Sequence, residues 1–467
     1  MMSPARIEPG PIPWFLIPRS GFCFNTPPMI VMKFGGSSVA NAEKIRQVFE
    51  IVKGRLPRKP LVIASAFRGV TDDLFKLGEE AVKGTAPSID PIRKRHQDAL
   101  REMGLDTDLL KKELDELEVL LKGISLVKEL SPRSLDYVVS FGERLSTRII
   151  AAYFTKLGMA AEQHDAFDLG LFTTDDFGGA QPLPEADAEI KKNVLKMTKL
   201  PIVTGYIGKT KNGSITTLGR NGSDYSATIF GATIDAEEIE IWSDVDGIMT
   251  ADPRLAPSAK PLEALTFEEA SELAYYGGKV LHPATIGPAI RKGITVRCLN
   301  TFKPDHPGTV IVSKAKSGGP AIKSIAHNLK NLIITVTSPR MLQGHGFLAR
   351  IFEVFGRHKI SIDMIATSEV SVSVTLDSNR NLEAAVEDLR KFAEVTIEKD
   401  KCIICVVGGG IGSTPGVAGD IFHSLKEAQV NILMISQGAS KINVAFVVED
   451  ADCAKAVQAV HRKFFGA

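Results

Sequence analysis

The chain has 467 residues with 44% hydrophobic and 24% charged content, the balance of a soluble globular protein of roughly two to four domains. A net charge of +1 excludes a broad nucleic-acid surface. No apolar run approaches the roughly 20 residues that span a bilayer, and five cysteines do not make a disulfide framework. A reducing, cytoplasmic setting is expected.

Residues 1–28 stand apart, with seven of the 25 prolines and one acid, Glu8. They read as an unpacked leader or an overlong start ahead of Met29 or Met32. Arg6 and Arg19 are too few for a strong transit signal.

Met29 to Val39 then gives a short apolar strand, Lys33, the pair Gly35-Gly36 and two hydroxyls before a helix. Glycines let the backbone approach a ligand, and the helix N-terminus faces free N–H groups toward anionic oxygen. Two readings fit, a phosphate site or an ordinary strand–helix turn; the P-loop pattern is absent. Asn41 to Lys53 is helical, with Ile45, Val48, Phe49 and Val52 on one face. Leu61 to Phe67 is a second buried strand, and it ends in the polar loop Arg68 to Asp72, with Ser65 and Thr71 close by. This βαβ opening predicts a largely parallel sheet.

Leu110, Leu114, Leu117 and Leu121 form one helical stripe among charges, a solvated helix without chemistry. Ser140 to Thr147 is expected to open another helix with Glu143 near its start, where a capping role and a ligand role both fit. Pro201 to Gly208 is a strand entering a glycine turn, and Thr216 to Ser226 is a polar loop feeding a helix. Arg220 there can fork onto a carboxylate or phosphate. A strand ending at Ser243-Asp244 precedes a turn rich in acids, where Asp246 and Asp252 also suit the turn itself. Lys279 follows another glycine pair, and His282 before Pro283 needs no chemistry. Thr295 to Asn300 and Thr309 to Val312 close the region, and Lys314 to Pro320 is a linker.

Beyond the linker lies an internal repeat. Gly346 to Phe355 aligns with Gly416 to Leu425 at an offset of 70 residues, and the register continues through Ile360 against Val430. Each copy is small, so the two are expected to pair. Cys402 and Cys405 are expected on opposite faces of one strand, as buried thiols. Gly408 to Gly412 imitates a dinucleotide fingerprint, but the acid required about 20 residues on is missing. Asp363 is matched by Leu433 and Glu369 by Ala439, so two acids belong to the first copy alone.

Six segments in order now identify a resemblance. They are Lys33 to Val39, Ser65 to Asp72, Phe141 to Ser146, Thr217 to Asp224, Trp242 to Gly247 and Gly278 to Pro283. With the tandem repeat behind them, the chain from Met29 onward resembles the aspartate kinases. The resemblance implies an α/β chain: an amino-acid-kinase fold, with a largely parallel sheet sandwiched by helices, over residues 29–313. It further implies a linker at 314–324 and two ferredoxin-like βαββαβ ACT domains at 325–400 and 401–467.

The same resemblance implies transfer of phosphate from ATP, with Mg²⁺, to the β-carboxylate of L-aspartate. Lys33 and Lys279 would hold the ATP phosphates, with Gly35 and Gly36 approaching by backbone. Ser243, Asp244, Met249 and Arg254 would lie on the nucleotide side; Met249 stands where many relatives have tyrosine. Arg220 would clamp the substrate α-carboxylate and Glu143 its ammonium. Ser65, Thr71, Tyr206 and Ser223 would complete the pocket, Tyr206 standing where some relatives have phenylalanine. Asp224 would organise the lysine and magnesium environment, without a dedicated protein cage for the metal. The first ACT copy resembles the lysine-sensitive branch, implying feedback by L-lysine at Ser338, Met341, Gly346, Phe347, Asp363, Thr367, Ser368 and Glu369, in a homodimer or homotetramer joined through ACT domains. The alternatives are another kinase of this fold, acting on glutamate or N-acetylglutamate, and a non-catalytic ACT amino-acid sensor.

Overall fold

The computed structural model describes residues 29–277, 283–314, 319–342, 345–377, 381–438 and 441–466. The leader expected at 1–28, together with Gly278, Lys279, His282 and Ala439, lies outside them.

The first region begins β1 (Ile30–Phe34), α1 (Ala42–Arg55), β2 (Pro60–Ala64), α2 (Val70–Ala81), α3 (Asp90–Glu102), α4 (Lys111–Val127) and α5 (Pro132–Lys156). It continues with β3 (Ala161–His164), α6 (Ala186–Val194), β4 (Leu200–Thr204), the hairpin β5 (Ile207–Lys209) and β6 (Ile215–Thr217), α7 (Gly222–Thr233) and β7 (Glu238–Ser243). It closes with β8 (Ala264–Thr266), α8 (Phe267–Tyr275), α9 (Pro283–Lys292), β9 (Thr295–Asn300) and β10 (Thr309–Val312). Eight of these strands form one sheet in the order β3-β4-β2-β1-β7-β9-β10-β8, parallel except at β9–β10. Side chains alternate along each strand: Ile30, Met32 and Phe34 enter a core beneath α1 to α5, while Val31 enters a second core with α7 and α9. Helices on both faces explain why β1 and β2 are buried along their whole length and apolar except at Lys33.

The second region runs β11 (Ser324–Thr337), α10 (Phe347–Arg357), β12 (Ile365–Thr367), β13 (Ser371–Leu376), α11 (Leu382–Arg390), β14 (Glu394–Val407), α12 (Val417–Glu427), β15 (Met434–Ser436), β16 (Asn443–Glu449) and α13 (Cys453–Phe465). Its six strands are ordered β12-β13-β11-β14-β16-β15, a near-symmetric arrangement that mirrors the sequence repeat. α10 and α12 both start after a glycine of positive φ, Gly346 and Gly416. The two copies are interleaved. Residues 324–328 of β11 pair with 403–407, whereas 333–337 pair with 394–398. Ile325 therefore packs with Cys402, Ile404 and Val406 in the second copy's core, and Ile334 with Val395 in the first's. Boundaries at 325 and at 400–401 thus fall within strands that serve both copies. Cys402 enters one core and Cys405 the opposite one.

The glycine run is a docking surface between chain segments. A Cβ on Gly410 would stand 2.5 Å from Ala321 Cα, and one on Gly408 would stand 2.2 Å from Ala321 O. Gly409 N–H donates to Glu269 Oε1 at 2.8 Å. Glu269 also closes the capping box of α8 with Thr266 and accepts from Lys323 at 3.0 Å. This carboxylate is 1% exposed and joins the two regions. Glu269→Ala leaves Lys323 without its counter-charge, held only by the Ala264 carbonyl, and leaves the Gly409 amide unpartnered; the expected loss is about 3 kcal/mol in chemical denaturation. An unchanged unfolding midpoint would remove Glu269 from the junction.

Candidate active site

The parallel strands β4, β2, β1 and β7 lie side by side, and the loops after their carboxyl ends bound a cavity of about 670 Å³. β1 supplies Lys33, Gly36 and Ser37; β2 supplies Ser65 to Thr71; β4 supplies Tyr206; and β7 supplies Asp244. α5 adds Glu143, and the start of α7 adds Ser223 and Asp224 just after Arg220. Ligands collect at this edge of an open α/β sheet.

Glu143 sits in the middle of α5, which corrects its expected place near a helix start. The helix begins eight residues before Ser140, at Pro132 with Ser131 as N-cap. Gly142 is a contact residue: a Cβ there would meet the Ala66 Cβ at 2.7 Å. Its absence lets α5 approach the β2 loop, and Ser146 Oγ donates to Ser65 O at 2.8 Å. A capping role for Glu143 is excluded by this position. Its carboxyl is 3% exposed, and Oε2 has no hydrogen-bond partner. Burial pushes its pKa up to about 8, opposed by the Ala66 backbone and the Lys33 charge.

Lys33 Nζ lies 2.6 Å from Asp224 Oδ1, as an ion pair without hydrogen-bond alignment. α7 starts at Gly222, earlier than its apolar stretch implied, so Asp224 is in the first turn and suits the helix dipole. Asn221 precedes it with φ +52. Arg220 is exposed and makes no ion pair among the described residues. Tyr206 also has positive φ, +68, and burial raises its hydroxyl to about 12, so it stays a neutral phenol.

A second cavity of about 850 Å³ shares Asp244 with the first. Met249, Arg254, Phe302, Lys303 and residues 324–327 line it. Arg254 is already tied to Asp252, with Nη2 at 2.5 Å. Ser243 lines neither cavity; its carbonyl accepts from Thr301 N–H. The Gly35 amide is likewise engaged, donating to Trp242 O at 3.1 Å, so the free approach falls to Gly36. Sequence reasoning gave no site role to Ser37, Arg68 and Asp72, although they lie within the motif segments, and missed Phe302, which carries no signal of its own.

In the second region, Ser338 N–H donates to Val370 O at 2.9 Å, which sets Ser338 and Met341 beside the turn holding Thr367, Ser368 and Glu369. Asp363 precedes β12 and Glu369 follows it, so one chain does not bring the two acids to one point. Asp363 Oδ1 instead accepts from Tyr275 of α8 at 3.1 Å, and Oδ2 has no partner.

The Amino acid kinase family pattern matches residues 28–300, and the ACT domain pattern matches 334–391 and 404–464. Aspartokinase 3, chloroplastic, of Arabidopsis thaliana is 41% identical over 455 residues, 93% of this chain and 81% of that protein. Lysine-sensitive aspartokinase 3 of Escherichia coli is 34% identical over 454 residues, 94% of this chain and 99% of that protein. The structure of E. coli aspartokinase III in complex with aspartate and ADP, the R-state, has a TM-score of 0.82 at 32% identity, covering 94% of this chain and 100% of that one. Its complex with lysine and aspartate, the T-state, gives 0.76 at 33% identity, covering 94% and 99%. Fold and cavity thus define a kinase of the amino-acid-kinase class with an ACT unit behind it. Within that class, the chain belongs to the aspartokinase family.

Glu143 generates a pH dependence of known sign. Below about pH 8 its carboxyl is neutral, so if the substrate ammonium is received at Glu143, as proposed below, its arrival must displace a proton. Aspartate binding at pH 7 should release close to one proton, and affinity should rise as pH climbs toward 8. Calorimetry in buffers of different ionisation enthalpy measures this, and Glu143→Gln should abolish the release.

Proposed function

We propose that the first cavity transfers the γ-phosphoryl of ATP to the β-carboxylate of L-aspartate, forming 4-phospho-L-aspartate. One observation carries the reading: a buried, half-unpartnered Glu143, an unpaired Arg220 and the Lys33–Asp224 pair converge on a single cavity. Glu143 suits the α-ammonium and Arg220 the α-carboxylate. The β-carboxylate is then directed toward Lys33, with Ser65, Thr71, Tyr206 and Ser223 around it. A carboxylate with a pKa of about 4 needs no general base. The barrier is repulsion between two anions, which lysine charge and preorganised N–H groups reduce.

The nucleotide is assigned to the second cavity, on the far side of Asp244, with Met249 and Phe302 as its apolar wall. Lys279 is retained as the second phosphate lysine on the sequence resemblance. The divalent ion is proposed to be Mg²⁺. Among the described residues no cluster of three or more His, Cys, Asp or Glu could hold a metal. Asp224 and Asp244 offer hard oxygen ligands, which fits an ion held mainly by phosphates and water. When bound, it would offset phosphate charge.

Regulation by L-lysine is part of the same proposal, through Ser338, Met341, Gly346, Phe347, Asp363, Thr367, Ser368 and Glu369. α8 supports it. Glu269, Glu272 and Tyr275, spaced by three along one face, bond Gly409, Asn443 and Asp363 respectively. The helix therefore ties both ACT copies to the loop leading to Lys279. The edge strands β12 and β15 lie near each other within the chain and leave Ile365 and Ile435 exposed, an outward apolar face that supports a homodimer or homotetramer formed there. We place the reaction at the head of lysine, threonine, methionine and diaminopimelate synthesis. The buried free thiols Cys298, Cys402, Cys405 and Cys453 suit a reducing compartment such as the cytoplasm. No described helix is long and apolar enough to cross a membrane.

An ATP-dependent hydroxamate assay tests the substrate: product with aspartate is expected, and product only with glutamate or N-acetylglutamate refutes the reading. Lys33→Ala should lower kcat by about 10²- to 10³-fold in a folded protein. L-lysine should inhibit and L-threonine should not. Tyr275→Phe frees Asp363 of about 1 kcal/mol of hydrogen bonding, so half-inhibition should need about fivefold less lysine. A requirement for more lysine would argue against competition for Asp363.

A further inference from the structure

Asp136 lies two turns before Glu143 on α5, on the same face, since seven residues return the helix nearly to its starting angle. It is 2% exposed and fully partnered. Oδ2 accepts from Gly178 N–H at 3.0 Å and from Thr217 N–H at 2.8 Å, and Oδ1 accepts from the Thr217 hydroxyl at 2.8 Å. These partners lie 42 and 81 residues away in sequence. Ala180 N–H also donates to Thr217 O, so the loop and β6 form one stitched unit.

That unit leads directly into Arg220. Gly178 and Gly219 both line the aspartate cavity. Gly219 has φ +79, and a Cβ on it would come within 3.2 Å of Gly178 O. The backbone before Arg220 is thus pressed on the loop that Asp136 holds. Glu143 and Asp136 share one rigid helix, whereas Arg220 follows a short hairpin. The carboxylate of Asp136 is what ties the hairpin to the helix.

We propose that Asp136 is a positioning residue that fixes the span between Glu143 and Arg220, and so matches the site to the α-amino-acid head group of its substrate. It touches no substrate itself. The inference rests on the proposed aspartate-site reading of Glu143 and Arg220. Asparagine at this place keeps the shape but turns an NH₂ toward N–H and O–H donors. A purely structural role would weaken the fold and both substrates alike. A positioning role raises the KM for aspartate selectively.

The test is steady-state kinetics on the full chain, with circular dichroism as a folding control. Asp136→Asn should raise the KM for aspartate about tenfold, with the KM for ATP within about twofold and kcat within about threefold. Thr217→Val, which removes one of the three donors, should give the same split at about threefold. If Asp136→Asn does not fold, Thr217→Val decides alone. A folded variant with an unchanged KM for aspartate, or with both KM values rising together, overturns the proposal. Arg220→Ala separates the two readings. If it raises the KM for aspartate while the Asp136 and Thr217 variants do not, only the positioning role fails. If it too leaves that KM unchanged, the site reading fails and this inference with it.

Discussion

The ion pair between Lys33 and Asp224 is the constraint on which the catalytic region turns. Both side chains are about nine-tenths buried, at 11% and 9% exposure. Burying two charges gives little net stability, because desolvation opposes their attraction; apolar residues of similar size would often serve as well. The pair is better understood through position. Lys33 stands on β1, the strand between β2 and β7, and Asp224 on the first turn of α7. Together they hold a cation at the one place where loops from four parallel strands meet. In the proposed phosphate site, Asp224 would keep that cation compensated until phosphate arrives. An incoming anion then finds Lys33 already oriented, without reorganising the site.

The ACT unit shares walls with the catalytic region. Ser324 Oγ donates to Met249 O at 2.7 Å, and Ile325 N–H donates to Thr250 O at 2.9 Å. α13 reaches the same loop, through Gln458 to Leu255 O and His461 to Thr250. The loop bounding the second cavity is therefore held partly by β11, the strand that also begins the six-stranded sheet. A shift of that sheet has a direct route to the cavity, through hydrogen bonds and one continuous strand. This is a physical network of named contacts, which is the form of coupling that a change of state can act on.

Much of this architecture was legible in the sequence, and the reasons differ by element. Buried parallel strands often announce themselves as apolar runs, as β2 does and as β1 does up to Lys33, whereas β7 alternates Glu with Ile before Trp242 and was legible through the acid-rich turn behind it. The 70-residue offset revealed two copies because helix starts and edge strands repeat with it. It could not reveal their interleaving, since a repeat marks similarity and only strand pairing decides which half of β11 belongs where. The start of α5 was set too late, at Ser140, although Ser131-Pro132 offers a hydroxyl N-cap followed by proline at the first helical position. Asp136 left no signal at all: its meaning lies in partners brought together by tertiary structure. Ser243 was grouped with its neighbours by motif, yet it lines neither cavity, although strand register puts it on the same sheet face as Lys33.

The two ends of the proposed substrate site differ in dielectric surroundings, and that difference bears on which carboxylate of aspartate reacts. Arg220 is exposed, so a carboxylate bound there stays solvated and screened, and it binds without being activated. Lys33 is buried against Asp224, so a carboxylate near it leaves water and meets a cation whose charge is already shared. A desolvated carboxylate beside phosphate is the more reactive of the two. Glu143 sets the orientation, because its buried carboxyl gains a favourable charge only when an ammonium arrives next to it. A dicarboxylate lacking the amino group offers no such partner. On the proposed reading, the same burial that makes Glu143 costly as a lone anion would make it selective for an amino acid, and would fix which end of that amino acid faces the transferred phosphoryl.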